Sequence, residues 1–89
     1  MKTFTKDPDA LLDYGCNWAP WLGKGDTIKS SSWVVPEGIT NEGDDHTDTR
    51  TTIWLSGGTD KTKYTLVNKI ETEEGRKEDR TVIFKMKEN

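Results

Sequence analysis

Cysteine is nearly absent. Cys16 stands alone among 89 residues, which excludes an intramolecular disulfide and a cysteine zinc site, so stability has to come from packing or association. Long apolar runs are missing too: no stretch approaches the roughly 20 residues that span a bilayer, and Met1 to Asp13 lacks the basic-then-apolar order of a signal peptide. The sequence therefore predicts synthesis in the cytoplasm and no membrane partner. Positive charge is not in excess. A formal net charge of -3 and a pI near 5.1 remove the counter-ion reason for seeking nucleic acid or anionic lipid. Room for helices is scarce as well, because Asp7-Pro8, Ala19-Pro20, Gly23, Gly25, Pro36 to Gly38, Gly43, Gly57-Gly58 and Gly75 cut the chain into short pieces.

What remains is patterned. Apolar residues make up 30% and charged residues 33%, close to the border where burial fails to offset conformational entropy. Four Trp, two Tyr and two Phe tip the balance toward folding, since each buries roughly 150–250 Å². The length suits one small domain. Between the breaks lie Thr, Ile, Val, Trp, Tyr and Phe, the residues of a pleated, half-buried surface.

Lys63 to Thr72 alternates Tyr64, Leu66, Asn68 and Ile70 against Thr65, Val67, Lys69 and Glu71, which predicts a strand with the first set inward. Arg80 to Lys87 repeats the pattern with Val82, Phe84 and Met86, and only Ile83 interrupts its solvent face. Gly75 in the charged link makes the two an antiparallel hairpin with a loop longer than two residues. Thr49 to Ser56 is a third strand with Thr51, Ile53 and Leu55 inward, which turns Trp54 to the other face. Asp26 to Val35 changes parity between Ile28 and Trp33, and a bulge near Ser30 to Ser32 would reconcile them. Tyr14 to Leu22 reads as a kinked first strand, with Pro20 at a sheet edge or corner. Pro8 to Tyr14 is the only helical candidate, with Asp7 as cap. Glu37 to Asp48 is either a long exposed loop or a weak pair of edge strands. Residues 1–9 read as a flexible arm ahead of a single β-sandwich domain over residues 10–89.

Turns every eight to twelve residues between six or seven short strands predict an all-β fold, a small antiparallel immunoglobulin-like sandwich. Tyr64, just after the Gly57 to Thr62 turn, sits where such sandwiches place a corner tyrosine.

Chemistry is sparse. Asp44-Asp45-His46-Thr47-Asp48 gathers carboxylates around an imidazole, but the spacing lacks the calcium-loop order, and one imidazole makes no structural zinc site. A solvated acidic loop explains it equally. Cys16 beside Trp18 reads as a small packed hydrophobe, not as a nucleophile. The chain is too small to wall a cleft that raises one carboxyl of a glycosidase pair, and Gly57-Gly58 lacks the phosphate-loop spacing. These absences predict no enzyme, no catalytic residues, no metal and no cofactor.

Exposed aromatics are the candidates for binding. Trp33 is assigned to the core. Trp18 and Trp21 straddle Pro20 and either pack on their own domain or dock on a neighbour. Trp54 is the best exposed candidate. Phe4 is the one apolar residue of the N-terminal arm and would anchor it on another subunit's sheet. The partner-contact set is thus Trp54, Phe4, Trp18 and Trp21, with the threonine-rich stretch Thr47 to Thr52 as a further edge for strand addition.

The ordered string Leu12-Asp13-Tyr14, Trp18, Trp21-Leu22, Gly25-Asp26-Thr27-Ile28, Trp33-Val34-Val35 resembles the front half of a family of small tailed-bacteriophage virion proteins described as fibre-tail adaptors. Ile53-Trp54-Leu55-Ser56-Gly57-Gly58, Tyr64-Thr65-Leu66-Val67-Asn68-Lys69-Ile70, Gly75-Arg76 and Asp79-Arg80-Thr81-Val82 are similar to its back half. The match runs from about Asp7 to Met86; it departs at Asn17, where the family has an acidic residue, and in the acidic Glu42 to Asp48 stretch. The resemblance implies an immunoglobulin-like structural component of the virion, made in the bacterial host cytoplasm. Its implied partners are other virion proteins of the tail, fibre, head-tail connector or capsid, bound in multiple copies per particle. A capsid decoration protein of the same fold and a small carbohydrate-binding module, with Trp54 and Trp18 or Trp21 as a stacking platform, are the alternatives.

Overall fold

The computed structural model describes residues 2–88. Seven strands and one short helix follow in order: β1 (Lys2–Lys6), β2 (Leu12–Asn17), α1 (Ala19–Leu22), β3 (Ile28–Val34), β4 (Ile39–His46), β5 (Arg50–Gly57), β6 (Lys63–Thr72) and β7 (Lys77–Met86). They form two sheets, β1-β7-β6-β3 and β2-β5-β4. With the strands lettered A to G in chain order, these are A-G-F-C and B-E-D, the immunoglobulin arrangement with its first strand carried by the G strand's sheet. All ladders are antiparallel except β1 with β7, which is parallel.

The β6–β7 hairpin forms as its alternation demands. Tyr64, Leu66, Asn68 and Ile70 face inward, opposed by Val82, Phe84 and Met86. The β5 parity is also as read: Thr51, Ile53 and Leu55 are buried while Trp54 is 46% exposed. The parity change in β3 is resolved by a register shift between Ile28 and Ser30, just ahead of the expected Ser30 to Ser32. The corner tyrosine is present, and its phenol oxygen accepts the Thr59 N–H at 3.0 Å.

Two core clusters fill the sandwich. Ile39, Ile53, Leu55, Tyr64, Leu66, Val82, Phe84 and Met86 form the larger, and Cys16, Trp18, Leu22, Ile28 and Ile70 the smaller. Tyr14 and Trp33 pack against both, so aromatic area joins the two ends of a small core.

Four expectations are corrected. The flexible arm contains a strand: Lys2–Lys6 pair with Val82–Met86, and Phe4 lies 4.7 Å from Tyr14 and 5.9 Å from Phe84 between ring centroids. Residue Lys6 is buried because its ammonium finds two carbonyls, Asp7 O at 3.0 Å and Gly57 O at 2.9 Å. Burial still pulls its pKa below the ordinary lysine value, against Asp7 and Asp9, which raise it. The helix expected over Pro8 to Tyr14 is not formed, since Leu12–Asn17 pair with β5. The helical turn falls instead at Ala19–Leu22, where Asn17 Oδ1 accepts the Ala19 N–H and Gly23 at φ 72° ends it. Glu37 to Asp48 contains a single edge strand, β4, with a register shift between Asn41 and Gly43. The stretch Thr47 to Thr52 is consequently no sheet edge: it turns into β5, the middle strand of its sheet.

Candidate partner surface

One of the four candidate aromatics is committed to the interior, and a second is packed against it. Trp18 is fully buried, and its indole N–H donates to Asn68 Oδ1 at 3.0 Å. The same oxygen accepts the Thr51 hydroxyl at 2.6 Å, while Asn68 Nδ2 donates to Ser31 Oγ and to Ser32 O, each at 3.0 Å. Four elements thus meet on one amide, and Trp18 has no free face for a partner. Phe4 is likewise packed on the core. Half-buried, it anchors β1 to its own sheet, where it was expected on another subunit's.

Trp21 is half-buried at the end of α1. Its ring meets Trp18 edge-on at 5.5 Å, and the Arg76 guanidinium covers it at 4.3 Å. Arg76 also pairs with Asp26 at 3.0 Å and donates to Leu22 O. This explains the Gly25-Asp26-Thr27-Ile28 motif. Asp26 accepts the Thr27 and Glu74 N–H groups, and Glu73 N–H bonds to Thr27 O, so the entry to β3 is tied to the β6–β7 turn. For the Asp26 carboxyl, burial acts to raise the pKa, but hydrogen bonds from Thr72, Arg76 and the two backbone amides outweigh it and hold the value below the usual range.

Trp54 remains. It projects from the middle strand of the three-stranded sheet, with Asp13 of β2 opposite on one side and Gly43 of β4 on the other. Gly15 and Asp45 flank Thr52, two residues along the same face. Neither glycine carries a side chain beside the indole, and carboxylates are its nearest charged neighbours in the ladder. Farther along, Glu42 accepts the Ser56 hydroxyl. Leu11, two residues before Asp13 and of the same parity, is 58% exposed. The surface is therefore an open indole facing Asp13, with Asp45 and Glu42 farther along and the Arg50 guanidinium beside Gly15 on the same face. Such a face suits a protein partner that brings apolar area and a cation to the ring.

The other candidates gather no site. Trp18 cannot pair with Trp54 as a sugar platform, being buried on the inner side of the sheet. His46 binds its neighbour Thr47 O through Nδ1 at 3.1 Å, and among the described residues no three His, Cys, Asp or Glu side chains are grouped to hold a metal. Cys16 is buried, with its thiol directed at the Tyr14 phenol 3.8 Å away; desolvation, then the thiol, push the Tyr14 pKa up.

Comparison with known proteins decides the family. A model of the podophage GP4 fiber-tail adaptor protein gp77 matches residues 6–85, from the last residue of β1 to one residue short of the end of β7. The chain belongs to this family. No curated protein matches it. Membership in the gp77 family makes the chain a structural protein of the phage virion, of the kind that joins fibre to tail, as the ordered tryptophan and Gly-Asp-Thr-Ile motifs implied. Those motifs are now explained as architecture: most of the residues that carry the likeness hold the sandwich together, and Trp54 alone of its tryptophans is presented outward. The sequence reading missed the polar tie at Asn68, for which its inward position among apolar residues was the available signal.

Proposed function

We propose that this gp77-family chain is a non-catalytic adaptor that joins tail and fibre components by binding other virion proteins, in several copies per particle, through the outer face of β2-β5-β4. The exposed indole of Trp54 in the middle of that face carries the proposal. A large exposed aromatic on a central strand, between Asp13 and Gly43, is of the type that anchors interfaces. Repetition in the particle turns a modest contact into a firm one. Phage carrying Trp54→Ala is expected to contain far less of the chain per particle, although the purified variant melts cooperatively. Normal incorporation of the variant overturns the assignment of this face. Quantitative mass spectrometry of particles tests the role itself: a handful of copies fits a tail or fibre adaptor, while hundreds would make the chain a capsid decoration protein.

A further inference from the structure

The two sheets leave an opening along one side of the sandwich. Here β2 is an edge strand, paired only with β5, and β7 is covered by β1 along Val82–Met86 alone. Among the described residues, nothing pairs with Lys77 to Arg80 on that side of β7. A cleft of about 550 Å³ runs between these edges, lined by Tyr14 to Asn17 and by Asp79 to Val82. Its volume falls in the range of roughly 300–1,000 Å³ typical of binding clefts.

The backbone of the cleft wall is available for pairing. The Asp79 N–H is not directed at β6; it donates to the Glu78 carboxylate at 3.0 Å, at the surface. In an antiparallel ladder, residues alternate between bonding the partner and facing away, so this donor marks Asp79 as an outward-facing position. On the opposite wall, Asn17 O accepts Arg80 Nη1 at 2.8 Å, and the Arg80 guanidinium lies 4.1 Å from the centre of the Trp18 ring. Both backbone groups are therefore held by flexible charged side chains and not by a strand.

The geometry points to a strand-addition site on the free half of β7, occupied by an extended segment of another virion protein that continues the line of β1. Main-chain hydrogen bonds to the Asp79 edge replace the Glu78 carboxylate, which retains water as a partner at the surface. About four or five residues suffice, since a strand rises about 3.3 Å per residue. Side chains of the added segment that point inward meet Tyr14 and Cys16, so the segment carries a small or apolar residue there. Lys77, Glu78, Asp79 and Arg80 present both signs of charge, which favours no net charge in the occupant. The site is separate from the Trp54 face and rests only on the reading of the chain as a binding protein.

Hydrogen exchange followed by mass spectrometry, on intact phage particles and on the purified chain, tests this directly. Peptides covering residues 77–81 are expected to exchange at least tenfold more slowly in the particle. Unchanged exchange in particles that contain the chain overturns the site, whereas absence of the chain from particles overturns the adaptor reading instead. The same protection in the purified chain, together with a dimer in solution, would assign the edge to a second copy and overturn the proposed occupant. Asp79→Pro removes the outward donor without touching the β6 ladder, and Asp79→Ala keeps it. Particles are expected to take up the Ala variant normally and the Pro variant at least tenfold less; equal uptake of the two refutes the pairing.

Discussion

Trp18 and Trp54 lie on opposite sides of the same small sheet and have opposite fates. Trp18 follows β2 directly, faces the other sheet, has no exposed surface and shares Asn68 with Thr51. Trp54 is in the middle of β5, flanked on both sides by buried residues, yet nearly half exposed. The difference is one of partners and parity, not of residue type. An indole turned inward usually finds an acceptor for its N–H; Asn68 supplies it for Trp18, whereas the buried Trp33 N–H has none among the described residues. One turned outward needs no acceptor from its own chain, since water can serve its N–H. In this small sandwich the inner tryptophan is part of the core, and the outer one is the residue proposed above for association.

The largest effect is expected where that division is sharpest. Trp18→Ala removes a fully buried ring from the smaller core cluster and leaves Asn68 and Arg80 without it, at a cost of about 3–5 kcal/mol. A chain of this size has a total stability of roughly 5–15 kcal/mol, so the variant is expected to melt far lower or fail to fold in a thermal scan. A small change would place Trp18 at the surface. Asn68→Ala ranks next. It orphans the Trp18 N–H and the Thr51 hydroxyl together, each unsatisfied buried group costing about 1–3 kcal/mol. Asn68→Ala in a Trp18→Phe background should cost less than in the natural chain, because one of those groups is already gone; additive losses would show that the two side chains do not share a network.

The same contrast explains what could be read from residues alone. The β6–β7 hairpin and β5 were legible because alternation on one face is enforced by a buried core, and a one-residue slip would expose every apolar side chain. The β4 edge was not, since Thr40 to Asp45 are all exposed and no burial imprints a pattern on them. β1 escaped notice for a different reason. Its pairing with β7 joins the two ends of the chain, and nothing local to Lys2–Lys6 beyond Phe4 announces a parallel partner some eighty residues away. Among the candidate aromatics, parity placed Trp54 on the exposed face, where the structure has it. It had no purchase on Trp18, because the strand assigned there turns into a helix at Ala19. The opening beside β7 was invisible, since a cleft between two strand edges exists only after both sheets are assembled.

At the far corner, Trp21 is neither interior nor free, and its cover is ionic. Here the expected effect is smaller and depends on pH. With its pKa held below the usual carboxylate value, near 3.9, Asp26 remains ionised in the folded chain at pH values where the unfolded chain has already taken up a proton. Its contribution is therefore present above about pH 4 and lost as the pH falls through the folded value. Arg76→Gln removes the guanidinium from both Asp26 and Trp21. The variant should melt below the natural chain at pH 7, and the gap should narrow at pH 3. Parallel melting curves for the two chains between those pH values would show that the Arg76–Asp26 pair does not set the acid limb.

The smallest expected change in stability belongs to Trp54, and it sharpens the comparison most. Trp54→Thr keeps a β-favouring residue on the strand and removes no side chain from either core cluster. Its thermal midpoint should stay within the shift set by about 0.5 kcal/mol, the usual range for surface positions, or a few degrees for a domain of this size. Trp18→Ala and Trp54→Thr then form a crossed pair: the first loses the fold and with it everything else, while the second keeps the fold and loses its place in the particle. A drop in the Trp54→Thr midpoint as large as that of Asn68→Ala would mean that the outer indole stabilises its own sheet. In that case the exposed face would need no partner to account for it.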